Sequence, residues 1–386
     1  MSTTTKEATQ ATTRTTDAPI ERIEVAAYTI PTDAPESDGT LEWDSTTMVT
    51  VHVHAADRVG FGYTYAQSAA AVVIANKLAP LVLHRDAMAP RAANRALRAA
   101  VRNSGTSGLT ALAISAVDVA LWDLKARLLD LSLVTLLGAP RRSVPIYGSG
   151  GFTSYDEARL ANQLGGWASS GIPRVKMKVG RQPALDPHRV ETARQAIGDH
   201  VALFVDANGA YTCPQAIELG RIFRTQHGVT WFEEPRPSDD TAGLRFVRER
   251  GPCGMDMAAG EYGWRALDFR RLLEGGAVDV LQADVTRCGG ITGFLQAADL
   301  ADAFDVPLSA HCAPALHAAL GCVLPRMRHL EYFHDHVRIE GMLLEGVAER
   351  VDGTLCVDDS VPGLGLEFKA ADADSFRVSG VGGTVR

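Results

Sequence analysis

Lys176 and Lys178 stand two residues apart in the stretch Arg174-Val175-Lys176-Met177-Lys178-Val179-Gly180, and later apolar runs repeatedly end in a carboxylate or an imidazole. In order these are Asp206 with Asn208, Glu233, Glu261, Asp284, His311 and Glu331. Singly, each has a structural explanation: Asp206 as a helix cap, Glu233 as a surface charge, His311 as a satisfied core imidazole. Delivered to one rim, so many charges would go unpaired unless something organised them. Asp206, Glu233 and Glu261 offer hard oxygen ligands from three successive strands, which suits a divalent cation such as Mg²⁺, and an adjacent lysine pair offsets the remaining negative charge. A carboxylate at Asp284 would fix the His311 tautomer and raise its basicity, which makes His311 a candidate general base. Like charge from Lys176 would depress the Lys178 pKa, leaving Lys178 as a neutral base while Lys176 meets an anionic substrate. Glu331, if it keeps its proton, would donate a hydrogen bond to a substrate oxygen. Glu234 competes with Glu233 for the ligand role; if Trp231 points inward, alternation turns Glu233 inward and Glu234 toward the helices.

These residues need elements that bring them together. Val175, Met177 and Val179 alternate with the three cations, the period-two pattern of a strand with two different faces. Apolar strand ends follow at 203–205, 229–232, 257–259, 278–283, 306–310 and 329–330, separated by amphipathic segments at 186–197, 213–226, 266–274 and 292–304. Seven or eight such strand and helix units in succession predict parallel strands closed into a barrel, whose chemistry sits at the carboxyl-terminal mouth. Before them lie a strand from Ile23, a second with Val49, Val51 and Val53 alternating with polar residues, and a hairpin into 61–65. Residues 31–46 read as a long polar loop holding Trp43, of a length that in a compact domain is functional or disordered. Helices are predicted at 66–84 and 90–103. A longer one starts near Gly108, its Ile114, Val117, Leu121, Leu124 and Leu128 stripe a packing face and its Asp118 and Asp123 structural. Gly-rich turns and short strands after 340 predict a return to the first domain.

Composition narrows the classes. The chain has 386 residues, 46% hydrophobic and 22% charged, enough for a large core. A net charge of -8 argues against nucleic acid as a partner. No apolar run approaches the length of a membrane span, and no signal peptide is evident, so the expected location is the cytoplasm. Cys213, Cys253, Cys288, Cys312, Cys322 and Cys356 are scattered with no C-x-x-C pair, which fits reduced thiols. Cys312 is expected to alternate away from His311 into the core. Residues 1–19 are rich in Thr and Ala and are expected to be a disordered tail.

With the ordered set in view, the chain from about 20 to 386 resembles the enolase superfamily, within it the mandelate racemase subgroup. The resemblance rests on Val175-Lys176-Met177-Lys178-Val179-Gly180, Val205-Asp206-Ala207-Asn208, Trp231-Phe232-Glu233-Glu234-Pro235, Gly260-Glu261, Asp284 followed by Cys288-Gly289-Gly290-Ile291-Thr292, Ser309-Ala310-His311 and His329-Leu330-Glu331-Tyr332. The segment 113–124 is also similar to a stretch of the family's capping domain. The resemblance implies an α/β fold: a modified TIM barrel of (β/α)₇β type over residues 144–340. It also implies an α+β capping domain from 20–143, to which the segment 341–386 returns. It implies Mg²⁺, with Mn²⁺ as a possible substitute, held by Asp206, Glu233 and Glu261. The implied chemistry is removal of the proton α to a carboxylate, with Lys178 on one face of the carbon and His311 with Asp284 on the other.

Two outcomes follow from that implied geometry. Loss of a β-hydroxyl gives a sugar-acid dehydratase acting on an aldonate or aldarate; return of the proton by the second base gives a racemase or epimerase. Known members favour dehydration, and Asn208, standing where some aldonate dehydratases carry histidine, narrows the substrate to a diacid or aldonate handled by the Lys and His pair. A Schiff-base lyase on Lys178 and a non-catalytic binding protein are the rival classes. Trp43 and Asn208, with Lys176, are the expected substrate contacts. The partners expected are a small-molecule carboxylate and further copies of the chain in a homo-oligomer.

Overall fold

The computed structural model describes residues 18–386. Of the tail expected at 1–19, residues 1–17 lie outside the described residues, and Ala18 and Pro19 are held against Asp86 and Ala87.

Strands β1 (Arg22–Ser37), β2 (Glu42–Ala55) and β3 (Arg58–Tyr65) form an antiparallel meander, with Gly383–Val385 added along β1. Their alternating apolar residues, such as Ile23, Val25, Val49, Val51 and Val53, bury one face of the sheet against the helices that follow. The expected long loop at 31–46 is instead a hairpin arm: β1 and β2 stay paired past Pro31, slip register between Pro31 and Glu36, and pair again to Ser37 and Glu42. Pro31 and Pro35 donate no backbone hydrogen bond, so the ladder bulges there rather than ends. The helix expected at 66–84 is three short pieces, Ala69–Val73, a π-turn at Ile74–Leu78 and Ala79–Val82. Helix Leu109–Leu128 is buried on nearly all sides because it is wedged between β2 and β3 and helix Gly290–Ala303. Asp118 on it accepts from Asn94 and from the Thr292 backbone, and Asp123 accepts from Phe61, Leu364 and Arg127.

Eight parallel strands make the closed barrel: β4 (Ser143–Gly150), β5 (Arg174–Lys178), β6 (Ala202–Asp206), β7 (Val229–Glu233), β8 (Asp256–Ala259), β9 (Val280–Ala283), β10 (Leu308–Ala310) and β11 (Met327–Phe333), with β11 pairing back to β4. A helix follows each of the first seven strands. Inside, Tyr147, Phe204 and Trp231 pack with His329, the Phe204 and Trp231 rings stacked 5.2 Å apart, and floor the barrel below its polar rim. After β11 and helix His334–Leu343, the chain first lays Thr354–Cys356 antiparallel against Ser143–Pro145 of β4. It then returns to the first sheet, where Val378 donates to Ala27 and Gly383–Val385 pairs with β1. Among the described residues no helix is long and apolar enough to cross a membrane.

Candidate active site

Register sets the first part of the site. Lys178, Asp206 and Glu233 are level partners across β5, β6 and β7. Val175 and Met177 face the helix layer, which turns Lys176 and Lys178 into the barrel, where both are buried. Trp231 also points inward and donates from Nε1 to Glu233 Oε2 at 3.0 Å. β8 ends one residue before Gly260, whose φ of 135° lets the backbone pass the Gln282 carbonyl and bring Glu261 over the mouth. A Cβ at Gly260 would stand 2.1 Å from Gln282 O. Oxygens of Asp206, Glu233 and Glu261 consequently lie within 4.8 Å of one another, all three residues buried.

The lysines are not the pair that like-charge repulsion predicts. Lys178 Nζ stands 2.5 Å from Asp206 Oδ2; Lys176 Nζ stands 2.6 Å from Glu233, 2.7 Å from Glu331 and 3.4 Å from Asp206. Burial, the largest single influence, opposes the charge on Lys178 and Lys176 adds to it, but the Asp206, Glu233 and Glu261 carboxylates together outweigh them, so its pKa is raised rather than depressed. Burial likewise opposes the charge on Lys176, and Glu233 and Glu331 overcome it. Lys176, expected to meet the substrate, is completely buried and does not line the mouth cavity. It lies deeper along β5 than Lys178 and is spent on carboxylates.

The donor set fits a divalent cation. Asp206 has one oxygen on Lys178 and the other on the Asn208 N–H at 2.9 Å. Glu261 Oε1 is 3.2 Å from Arg287, while its Oε2, 3.1 Å from His311 Nε2 but outside hydrogen-bonding geometry, is a buried acceptor with no donor. Such an orphaned carboxylate oxygen beside two further carboxylates is what an oxygen-seeking cation satisfies. Glu234 stands beside this cluster at φ 36°, where strand alternation has ended and no longer turns it toward the helices. Burial first, then Glu261, Asp206 and Glu233, push its pKa well up.

His311 lies just past β10 and its Nδ1 is 2.8 Å from Asp284 Oδ2. The other Asp284 oxygen accepts from the Thr286 backbone and hydroxyl, both at 2.7 Å. Burial would raise Asp284, but the hydrogen bond to His311, its charge and Arg287 hold it at about 2. The other ring nitrogen, Nε2, faces the mouth. Cys312 is buried within a core cluster as expected, but it does not turn away from His311: its Sγ is 3.4 Å from that nitrogen and it also lines the cavity, because β10 ends at Ala310 and Cys312 has φ 53°, so alternation does not reach it. Glu331 is an acceptor, not the expected donor. Ser149 Oγ at 2.5 Å and Lys176 at 2.7 Å reach one oxygen and the Cys312 N–H at 2.9 Å the other. Burial would favour its proton, but Lys176 and His311 hold its carboxyl well below the usual range.

A cavity of about 330 Å³ opens over these groups, lined from the barrel by Lys178, Asn208, Glu261, Asp284 and His311. The hairpin arm and β3 roof it. Trp43 lines it and donates from Nε1 to Glu36 at 2.8 Å, with its ring edge-on to Phe152. Asn208 lines it at φ 44°, with a buried Oδ1 that has no donor. Sequence reasoning missed Ser149, Arg287, Tyr262, Thr286 and His336. Only Arg287 had a readable signal, three residues beyond Asp284 in the turn after β9.

Comparison with known proteins agrees with this architecture. Residues 157–373 match the model described as enolase C-terminal domain-like, and 23–138 match the mandelate racemase / muconate lactonizing enzyme N-terminal domain. The 3,6-anhydro-alpha-L-galactonate cycloisomerase of Streptomyces coelicolor is 31% identical over 90% of this chain and 96% of its own. A mandelate racemase/muconate lactonizing enzyme-like protein from Rubrobacter xylanophilus superposes with a TM-score of 0.91 at 52% identity, covering 93% of this chain and all of its own. An L-talarate dehydratase from Polaromonas, solved with Mg and L-glucarate, superposes with a TM-score of 0.85 at 31% identity, over 95% of this chain and 99% of its own. The chain is therefore an enzyme of the mandelate racemase and muconate lactonizing enzyme family, within the enolase superfamily.

Proposed function

We propose that the protein removes the proton α to the carboxylate of an acid sugar and expels the β-hydroxyl, giving a 2-keto-3-deoxy acid. One observation carries this reading: Lys178 and His311 line the same cavity from strands separated by β11 and β4 on one side and by the carboxylate-bearing β6 to β9 on the other. A substrate carbon between them meets a proton-transfer group on each face. Asp206, Glu233 and Glu261 would hold Mg²⁺, or Mn²⁺ in its place. Such a cation withdraws charge from the substrate carboxylate and so lowers the cost of charge developing at the α-carbon.

Lys178 is held as an ammonium by Asp206; with that carboxylate engaged by a bound cation, Lys178 would be free to shed its proton and take the α-proton, and the electron pair of the broken C–H bond forms the C2–C3 double bond as the C3–O bond breaks. His311, oriented by Asp284, gives a proton to the departing hydroxyl, which leaves as water. The resulting enol tautomerises to the 2-keto acid. Lys176 supplies buried positive charge beside Glu233 and Glu331. Dehydratases of galactarate, arabinonate and gluconate among the relatives support the choice of dehydration. The second reading, an isomerase using the same two groups, is supported by the cycloisomerase relatives. Six unpaired cysteines support action in the reducing cytoplasm.

The test is a screen of acid sugars and 2-hydroxy acids with Mg²⁺ in D₂O, read by proton NMR. Dehydration yields 2-keto-3-deoxy products; isomerisation puts solvent deuterium at the α-carbon of both configurations. A panel in which no acid exchanges its α-proton would refute the reading.

A further inference from the structure

Resting on that reading, we infer that the substrate carries a single carboxylate, with a neutral, hydroxyl-bearing far end: an aldonate rather than an aldarate. The reacting carboxylate belongs at the barrel side of the cavity, so the far end of the chain lies under the cap. The cap side is lined by Asp38, Trp43, Ser45, Thr46, Tyr65 and Gln67 among others, and among the described residues it presents no lysine or arginine. Its one ionisable carboxylate, Asp38, would repel a second carboxylate; it is held in place by the Thr40 and Leu41 backbone N–H groups at 2.6 and 2.7 Å.

The cations that do reach the cavity are already paired on the barrel side. Lys178 is on Asp206, and Arg287 is 3.2 Å from Glu261 and 3.5 Å from Asp284. His336 is no substitute. Its Nδ1 accepts the Ala313 N–H at 3.2 Å, and its ring lies 3.5 Å from Tyr65, nearly parallel. That bond fixes the neutral tautomer and leaves His336 Nε2–H as an uncharged donor. Hydroxyls, an amide, a neutral imidazole and two aromatic rings recognise the alcohols and C–H faces of a sugar tail. A second carboxylate would enter the same space without a counter-charge, and such an unpaired charge is a discriminating device.

The experiment compares stereochemically matched pairs, gluconate with glucarate and galactonate with galactarate. Dissociation constants are measured by calorimetry on Lys178→Ala with Mg²⁺, and kcat/KM on the unaltered enzyme. The aldonate of the better pair is expected to bind at least ten-fold more tightly, and Gln67→Arg is expected to narrow or reverse that ratio. An aldarate bound as tightly as its aldonate, a ratio unmoved by Gln67→Arg, or no binding of either class would overturn the inference. Binding of an aldonate without α-proton exchange by the unaltered enzyme would defeat the dehydratase reading and leave the charge preference of the pocket standing.

Discussion

Lys178 and Asp206 face each other across adjacent strands, Nζ to Oδ2 at 2.5 Å, and Lys176 takes the same place beside Glu233 at 2.6 Å. Two ammonium groups thus sit on two of the three carboxylates, while Glu261 alone keeps a buried oxygen without a donor. Glu261→Gln removes that oxygen's charge without touching either lysine pair. Mg²⁺ at a hundred times its dissociation constant should stabilise the unaltered enzyme by about 2.7 kcal/mol. Scanning fluorimetry should find most of that gain gone in Glu261→Gln, and a full gain there would remove Glu261 from the ligand set.

Lys178→Ala and His311→Asn should each lower kcat/KM by about 10²–10⁴-fold, the range for one positioned proton-transfer group. Turnover and exchange should separate in the two variants. One of them should still exchange the α-proton of a substrate of single configuration in D₂O without forming product, because the opposite face keeps its own group. Full activity in either variant is the result that excludes a two-sided site.

The arm that roofs the cavity is docked by its tip. Gly39 packs so closely over the ends of β5 and β6 that a Cβ would come 2.5 Å from Ala207 O and 2.8 Å from Val179 O, and Thr153 ties Ser37 and Asp38 to the loop after β4. Gly39→Val should lift the tip, raise KM at least ten-fold and open the arm to limited proteolysis. The melting temperature should stay within a few degrees, since the tip buries little apolar surface. An unchanged KM would show that the arm does not close the site.

The strand-borne part of this site was legible because strand periodicity is local: Val175 and Met177 say where Lys176 and Lys178 point, and the level ends of β6 and β7 follow from similar repeat lengths. What escaped depended on partners far off in sequence. Lys178 looked like a depressed ammonium when only Lys176 was near it, and Asp206 with Glu233 and Glu261 reverses that sign. Glu331 looked like a donor until Lys176, Ser149 and the Cys312 N–H converged on it. Past the last strand residue the period stops, which is why Cys312 and Glu234 lie by the site. Prolines and polar residues at 31–46 resemble a loop because a two-stranded arm is held by backbone bonds that side-chain types do not announce.

Glu340 and Glu36 should each withdraw stability as pH rises from about 5 to about 8. Burial pushes the Glu340 carboxyl up to about 8, against hydrogen bonds from Tyr63, Ala315 and Tyr65, and burial with nearby Asp335 does the same to Glu36 under the arm. Both groups bind a proton more tightly folded than unfolded, so between the unfolded value near 4.5 and about 8 the native state holds the extra protons. The slope of unfolding free energy against pH is then negative, up to about 1.4 kcal/mol per pH unit for each group, and the contribution is lost as pH passes the folded value. Glu340→Gln keeps an oxygen for the Tyr63 hydroxyl, which donates at 2.7 Å, and removes that group's titration. Urea melts of both proteins at pH 5, 6.5 and 8 should give a shallower decline for the variant; parallel declines would mean that Glu340 is ionised in the folded protein.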